Sequence, residues 1–263
     1  MRIGASGIPR YLLHAIVLAG CIVMGVGCRQ PTGPAEPTKP EENTETTTIT
    51  IDFDNATEGI VAQDFAGAGL ASEPAPGQLD SDAWSFLGFS DGDIGFGGSA
   101  ESGDFARGVS TGGVTTGGLY GFEIGESDTG LGIQPTAGDF APGSFVLRLA
   151  RSYDSIETVT IQYSLWTWND QDRSTRWSVA ISSDEVDWYE LTPLECVTTM
   201  TADGEPVWVE HPVSATIVPT DAGLGTGDYV YLRWNVEDYD GTGGRDECAI
   251  DDLVITIEGF QVP

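Results

Sequence analysis

The sequence predicts an all-β protein, a two-sheet jelly-roll β-sandwich, on three observations. Gly, Thr, Ser and Asp are abundant, with 35 glycines in 263 residues. Beyond residue 28 no long stretch repeats apolar residues at helical spacing. Apolar runs instead alternate with a two-residue period, which sends successive side chains to opposite faces of a strand. Such runs recur at short spacing, about ten to twelve times, which suits a jelly roll better than a small immunoglobulin-like sandwich.

The first segment reads as an address. Met1 to Arg10 carries Arg2 and Arg10 and no acid, and Tyr11 to Gly27 is mostly apolar and ends in small residues. A basic start, an apolar middle and a small-residue end make an export signal over 1–27. A cysteine closing such a run resembles a bacterial lipoprotein signal, which implies lipidation and display on the outer face of a membrane. Two cysteines compete. Leu18-Ala19-Gly20-Cys21 has the better local motif, whereas Cys28 is followed at once by polar chain and is preferred. Residues 28–47 hold four prolines and no aromatic side chain. They bury too little apolar surface to offset the entropy of ordering, which predicts a disordered tether.

A single domain is expected over 48–260. Ile49, Ile51 and Phe53 share a face of its first strand. The glycine-rich middle predicts turns and bulges, with short strands over 118–124 and 131–134. From Ser144 the alternation is clean. Phe145, Leu147 and Leu149 form one inward face; Val159, Ile161, Tyr163 and Leu165 form another; Trp177, Val179 and Ile181 form a third. Short strands are expected over 187–191 and 207–218. Val230, Leu232, Trp234 and Val236 then alternate with Tyr229, Tyr231, Arg233 and Asn235. An acidic, glycine-rich loop leads from there to the last strand, on which Leu253, Ile255 and Ile257 share a face.

The net charge is −30, which excludes a nucleic-acid partner, because phosphate binding needs a basic stripe. Carboxylates that converge could hold Ca²⁺, whose hard-oxygen chemistry they suit. Asp238-x-Asp240-x-Thr242 resembles half of a calcium loop but lacks its Gly and terminal Glu. The alternative is a loop in which Arg245 pairs with a nearby acid. Cys196 and Cys248 are the two cysteines of the domain and form a disulfide if the fold brings them together. His211 is its one histidine, with no nucleophile motif beside it, so no catalytic constellation is expected. Zinc is disfavoured on the same ground.

Aromatic residues suggest a sugar-binding face. Trp166 and Trp168 lie on the strand face opposite Tyr163 and Leu165. Were that strand beside the one bearing Tyr229, Tyr231, Arg233 and Asn235, one open face would carry rings next to hydrogen-bonding groups. Rings stack on the C–H faces of sugars while Arg or Asn fixes hydroxyls. The alternative is that the tyrosines pack beneath a loop.

The ending Ala249-Ile250-Asp251-Asp252-Leu253-Val254-Ile255 resembles the close of MAM-type and related concanavalin-like jelly rolls. The opening Asp52-Phe53-Asp54 is similar to their start. Segments such as LDSDAWSFLGFSDG and IQPTAGDFAPGSFVLRL extend a likeness to bacterial secreted jelly-roll domains over most of 48–258. The resemblance implies an extracellular fold with a structural Ca²⁺ site between first and last strands. It makes Asp54 and Asp252 ligand candidates, with Asp251 behind them. The expected function is a lipid-anchored surface binding or adhesion module, with glycan the leading ligand class. A structural surface protein and a carbohydrate-active hydrolase are the alternatives.

Overall fold

The computed structural model describes residues 44–151, 153–219, 224 and 227–260. The signal segment, Cys21, Cys28 and nearly all of the tether lie outside the described residues.

In chain order the strands are β1 (Thr44–Ile51), β2 (Leu70–Ala71), β3 (Leu79–Asp80), β4 (Trp84–Phe89), β5 (Gly92–Ile94) and β6 (Val109–Ser110). Then come β7 (Gly118–Gly125), β8 (Asp128–Gln134), β9 (Gly143–Ala150), β10 (Ser155–Trp168) and β11 (Arg173–Ser182). The last are β12 (Tyr189–Glu190), β13 (Cys196–Val197), β14 (Trp208–Ile217), β15 (Tyr229–Gly241) and β16 (Glu247–Phe260). The first strand starts at Thr44, where the tether was expected to run to residue 47. Two short 3-10 turns, Gly103–Phe105 and Thr192–Leu194, are the helical elements among the described residues.

Two seven-stranded sheets face each other. The first runs β14-β10-β16-β8-β7-β6, with β1 also on β16; the second runs β12-β11-β15-β9-β4-β5, with β13 on β11. Pro212 sits in β14, an edge strand, where its missing N–H leaves no gap in a central ladder. The strands β15 and β16 belong to different sheets, so the acidic loop between them crosses the sandwich rather than closing a hairpin.

The alternation read from the sequence is the alternation found. Val159, Ile161, Tyr163 and Leu165 of β10 and Val230, Leu232, Trp234 and Val236 of β15 all point into one core. Aromatic rings fill its centre. Phe145 stacks on Trp234 at 5.0 Å and 8°, and Tyr163 meets Trp234 edge-on at 5.9 Å. The Tyr163 hydroxyl donates to the Leu194 carbonyl at 3.2 Å, which satisfies a polar group that burial would otherwise penalise.

Strand β16 has β10 along one edge. Its other edge is shared: β8 pairs with Cys248–Ile250, and β1 pairs from Leu253 to Phe260. Asp251 and Asp252 occupy the seam between those two partners. The chain bulges there, with Asp252 at φ +52° and a register shift opposite, between Gln162 and Ser164.

Candidate functional site

The outer face of the second sheet is built from the residues between the core positions. Registering the strands gives one cross-sheet row of Ser178, Asn235, Ser144 and Leu87 and a second of Ala180, Arg233, Val146 and Ser85. Most of these side chains are short, so the floor of the face stays low. Two hollows lie on it. One, of about 580 Å³, is lined by Arg176, Ser178, Glu190, Arg233, Asn235 and Glu237, among others. The other, of about 340 Å³, is lined by Leu87, Asp93, Pro142 and Ser144 and shares Asn235 and Glu237 with the first. Together they form a polar groove across the strands, with Asn235 at its middle.

Two guanidiniums stand in this groove, each held flat by a ring. Arg233 Cζ lies 4.1 Å from the Trp188 ring centre, and Arg176 Cζ lies 4.7 Å from that of Tyr239. Their carboxylate neighbours are loose: Arg233 to Glu190 is 3.8 Å and Arg176 to Glu195 is 4.0 Å. Both Nε atoms are buried without an acceptor. Burial lowers the Arg233 pKa from its ordinary value, and Glu190 opposes that shift.

The predicted ligand set divides. Arg233 and Asn235 line the groove. Tyr229 and Tyr231 share its face, but Tyr231 is only 8% exposed. Arg148 lies over both Phe96 and Tyr229, at 4.2 and 4.7 Å, and donates through Nε and an Nη to the Asp82 carbonyl. The tyrosines are therefore packing groups here. Trp166 and Trp168 are not beside them at all, because β10 lies in the first sheet and β15 in the second. Those indoles face the opposite side of the sandwich, over a small cluster of Tyr120, Phe122, Ile124 and Ala249. Trp188, Arg176, Ser178 and Ser144 were missed. Nothing local distinguishes a floor serine, and only strand register brings these four together.

The acids at the seam of β16 do gather. Asp251 is 3% exposed, and Phe53 N–H reaches its Oδ1 at 3.5 Å. Desolvation holds its carboxyl well above the usual range, and the charges of Asp252 and Asp128 add to that. Asp54 is raised by desolvation and by Asp128 and Asp52; Asp252 is raised by desolvation and by the same two acids. These are hard-oxygen donors, and Asp128, unpredicted, joins them. Among the described residues, however, no three such side chains stand at ligating spacing.

Asp238 and Asp240 lie in the other sheet, on β15, and do not join that group. The Asp238 carboxylate is taken by two arginines: Arg173 Nε donates to Oδ1 at 2.7 Å, and Arg245 Nε donates to it at 3.0 Å. Those bonds, the Arg173 one foremost, hold its pKa low. In this structure it is an ion-pair anchor. Asp240 Oδ1 accepts from the Gly241 N–H at 2.7 Å. Cys196 and Cys248 are both free thiols, Cys248 buried and Cys196 half-buried, so the disulfide is not formed. His211 contacts Thr167 Oγ1 at 3.0 Å.

No family model matches the chain, and no curated protein matches it. Among solved structures the similarities are low. A non-crystalline-cellulose-specific carbohydrate-binding module, CBM28, has 10% identity and a TM-score of 0.38, over 77% of this chain and 97% of that one. The K1 cleaved adhesin domain of Lys-gingipain from Porphyromonas gingivalis W83 has 15% identity and a TM-score of 0.39, over 80% and 97%. The N-terminal cellulose-binding domain of Cellulomonas fimi β-1,4-glucanase C has 15% identity and a TM-score of 0.32, over 69% and 90%. Among the described residues no helix is long and apolar enough to cross a membrane.

Proposed function

We propose that this chain is a surface-displayed glycan-binding module whose ligand lies in the groove over Asn235. One observation carries the reading: the groove holds two ring-stacked guanidiniums whose carboxylate neighbours stand 3.8 and 4.0 Å off. A glycan chain suits it, because its hydroxyls accept from Arg and Asn and donate to Glu190 and Glu237. Its C–H faces can stack on the flanking rings. A glycan array probed with the full chain tests this, with Arg233→Ala and Asn235→Ala as controls. Array binding that both variants retain in full removes the groove as the site, and no binding to any glycan favours a structural surface protein.

Two further parts of the proposal concern setting and metal. Export through 1–27, lipidation at Cys28 and a tether over 28–47 would hold the domain outside the cell. Mass spectrometry of the mature N-terminus, with Cys28→Ser and Cys21→Ser compared, identifies the processed cysteine. A structural Ca²⁺ is proposed at Asp54, Asp251 and Asp252, with Asp128; these side chains would have to draw together to ligate it, and the cation would relieve their mutual repulsion. Melting with Ca²⁺ and with chelator tests it, and identical curves end it.

A further inference from the structure

The strap between Ser110 and Gly118 crosses the outer face of the first sheet. Among the described residues its backbone over 111–117 makes no hydrogen bond to another backbone group. Side chains hold it instead. Trp208 Nε1 donates to the Thr111 carbonyl at 3.1 Å, and the Tyr120 hydroxyl donates to the Thr116 carbonyl at 2.8 Å. The Val114 N–H donates to Glu247 Oε1 at 2.5 Å. Arg107 Nε donates to the Gly117 carbonyl at 2.8 Å, and the Gly112 N–H donates to Ser110 Oγ at 3.2 Å. A segment outside the ladder, held by side chains alone, opens at lower free-energy cost than the strands around it. Gly112 lies against the Trp168 indole, and a Cβ there would come within 2.7 Å of a ring carbon. Gly118, at φ +142°, gives the other end freedom that few side chains allow.

Under and beside the strap is a set of rings. Phe122 and Trp208 have centroids 5.0 Å apart, and Trp168 lies 5.6 Å from Trp208. Trp166 packs against the same cluster. Several polar atoms on this side are unmatched: Trp166 Nε1 and Trp168 Nε1 are buried without acceptors, and Glu247 Oε2 and Gln134 Oε1 are buried without donors. Buried polar atoms are nearly always paired. A purely apolar occupant would satisfy neither kind. A sugar ring satisfies both, because each hydroxyl accepts and donates while the ring's C–H face lies on an indole. A cavity of about 200 Å³ opens beside the latch, between Val114, Thr115, Gln134 and Arg245.

We propose that this face is a second saccharide site, taking one neutral sugar ring of a glycan chain, and that the strap over 111–117 is its lid. The Val114–Glu247 bond is the latch. The site lies on the opposite face of the sandwich from the groove and does not depend on the groove reading. While the lid is closed, the apparent affinity is reduced by the fraction of molecules that are open.

The test uses the full chain with cellohexaose, xylohexaose and mannohexaose as probes. Val114→Pro removes the latching N–H and leaves the rings in place. At least one hexaose should then bind about fivefold more tightly than to the unaltered chain, with a change in tryptophan fluorescence. Adding Trp166→Ala should remove that gain, whereas adding Arg233→Ala should leave it, which separates this site from the groove. No gain with any of the three probes overturns the proposal, as does a gain that survives Trp166→Ala. Should Val114→Pro fail to fold, hydrogen exchange at the Val114 amide of the unaltered chain decides. Saturating hexaose must lower its protection, and unchanged protection overturns the lid.

Discussion

Arg233 rests its guanidinium on Trp188, 4.1 Å from the ring centre, and so ties the middle of β15 to the turn before β12. The contact orients a cation whose nearest carboxylate, on Glu190, is 3.8 Å away. Trp188→Ala should leave the fold intact but let the guanidinium wander. Glycan affinity should fall on the order of tenfold for Trp188→Ala and further for Arg233→Ala. Calorimetric titration reads both, and unchanged affinity in both variants would falsify the groove assignment.

Asp238 bridges Arg173 to Arg245, and the Arg245 side chain is only 5% exposed. Removing the shared carboxylate leaves a buried guanidinium without that partner. Asp238→Ala should lower the melting temperature by roughly 5 °C, with Asp240→Ala costing less. An ionic role predicts the same drop with and without chelator. A drop present only when Ca²⁺ is supplied would restore Asp238 as a ligand.

Glu247 gives the protein a pH dependence of definite sign. Desolvation raises its pKa to about 7, aided by the charges of Asp170 and Asp246, and Tyr120 faces it from β7. The folded state therefore holds the proton more tightly than the unfolded chain, whose value is near 4.5. Between those values the native state binds more protons, so stability falls as pH rises. Melting temperature should decline from about pH 5 to about pH 8, and Glu247→Gln should flatten the decline. Asp246 and Asp251, also raised by burial, to about 7 and about 8, keep some slope in that variant. A variant with the original slope would show that Glu247 ionises freely.

Trp234 is the ring on which the two sheets meet, touching Phe145, Trp84 and Tyr163. Trp234→Ala should cost about 3–5 kcal/mol, enough to lower the melting temperature by about 10 °C. Trp188→Ala, at the surface, should move it little. Comparable losses in the two would mean the core lies elsewhere.

The inward faces were legible because a two-residue period is local. Val230, Leu232, Trp234 and Val236 declare their side of the strand without reference to any partner. Sheet membership was not legible. Trp166 and Arg233 sit in strands that looked able to pair, yet the segment between Gly241 and Glu247 carries the chain from one layer to the other. Asp54, Asp251 and Asp252 were found through likeness to known first and last strands, whereas Asp128 arrives through the pairing of β8 with β16. Ser144 and Ser178 become floor residues only once β9 and β11 flank Asn235.

The sharing of one β16 edge between β8 and β1 has a practical consequence for anyone who trims this protein. A version beginning after Ile51 would keep both layers and every groove residue, but would bare the stretch of β16 from Leu253 to Phe260. An uncovered margin of that length, with Leu253, Ile255 and Ile257 alternating along it, invites a second molecule to add itself as the missing strand. Such a shortened protein should turn up in solution as pairs and larger aggregates.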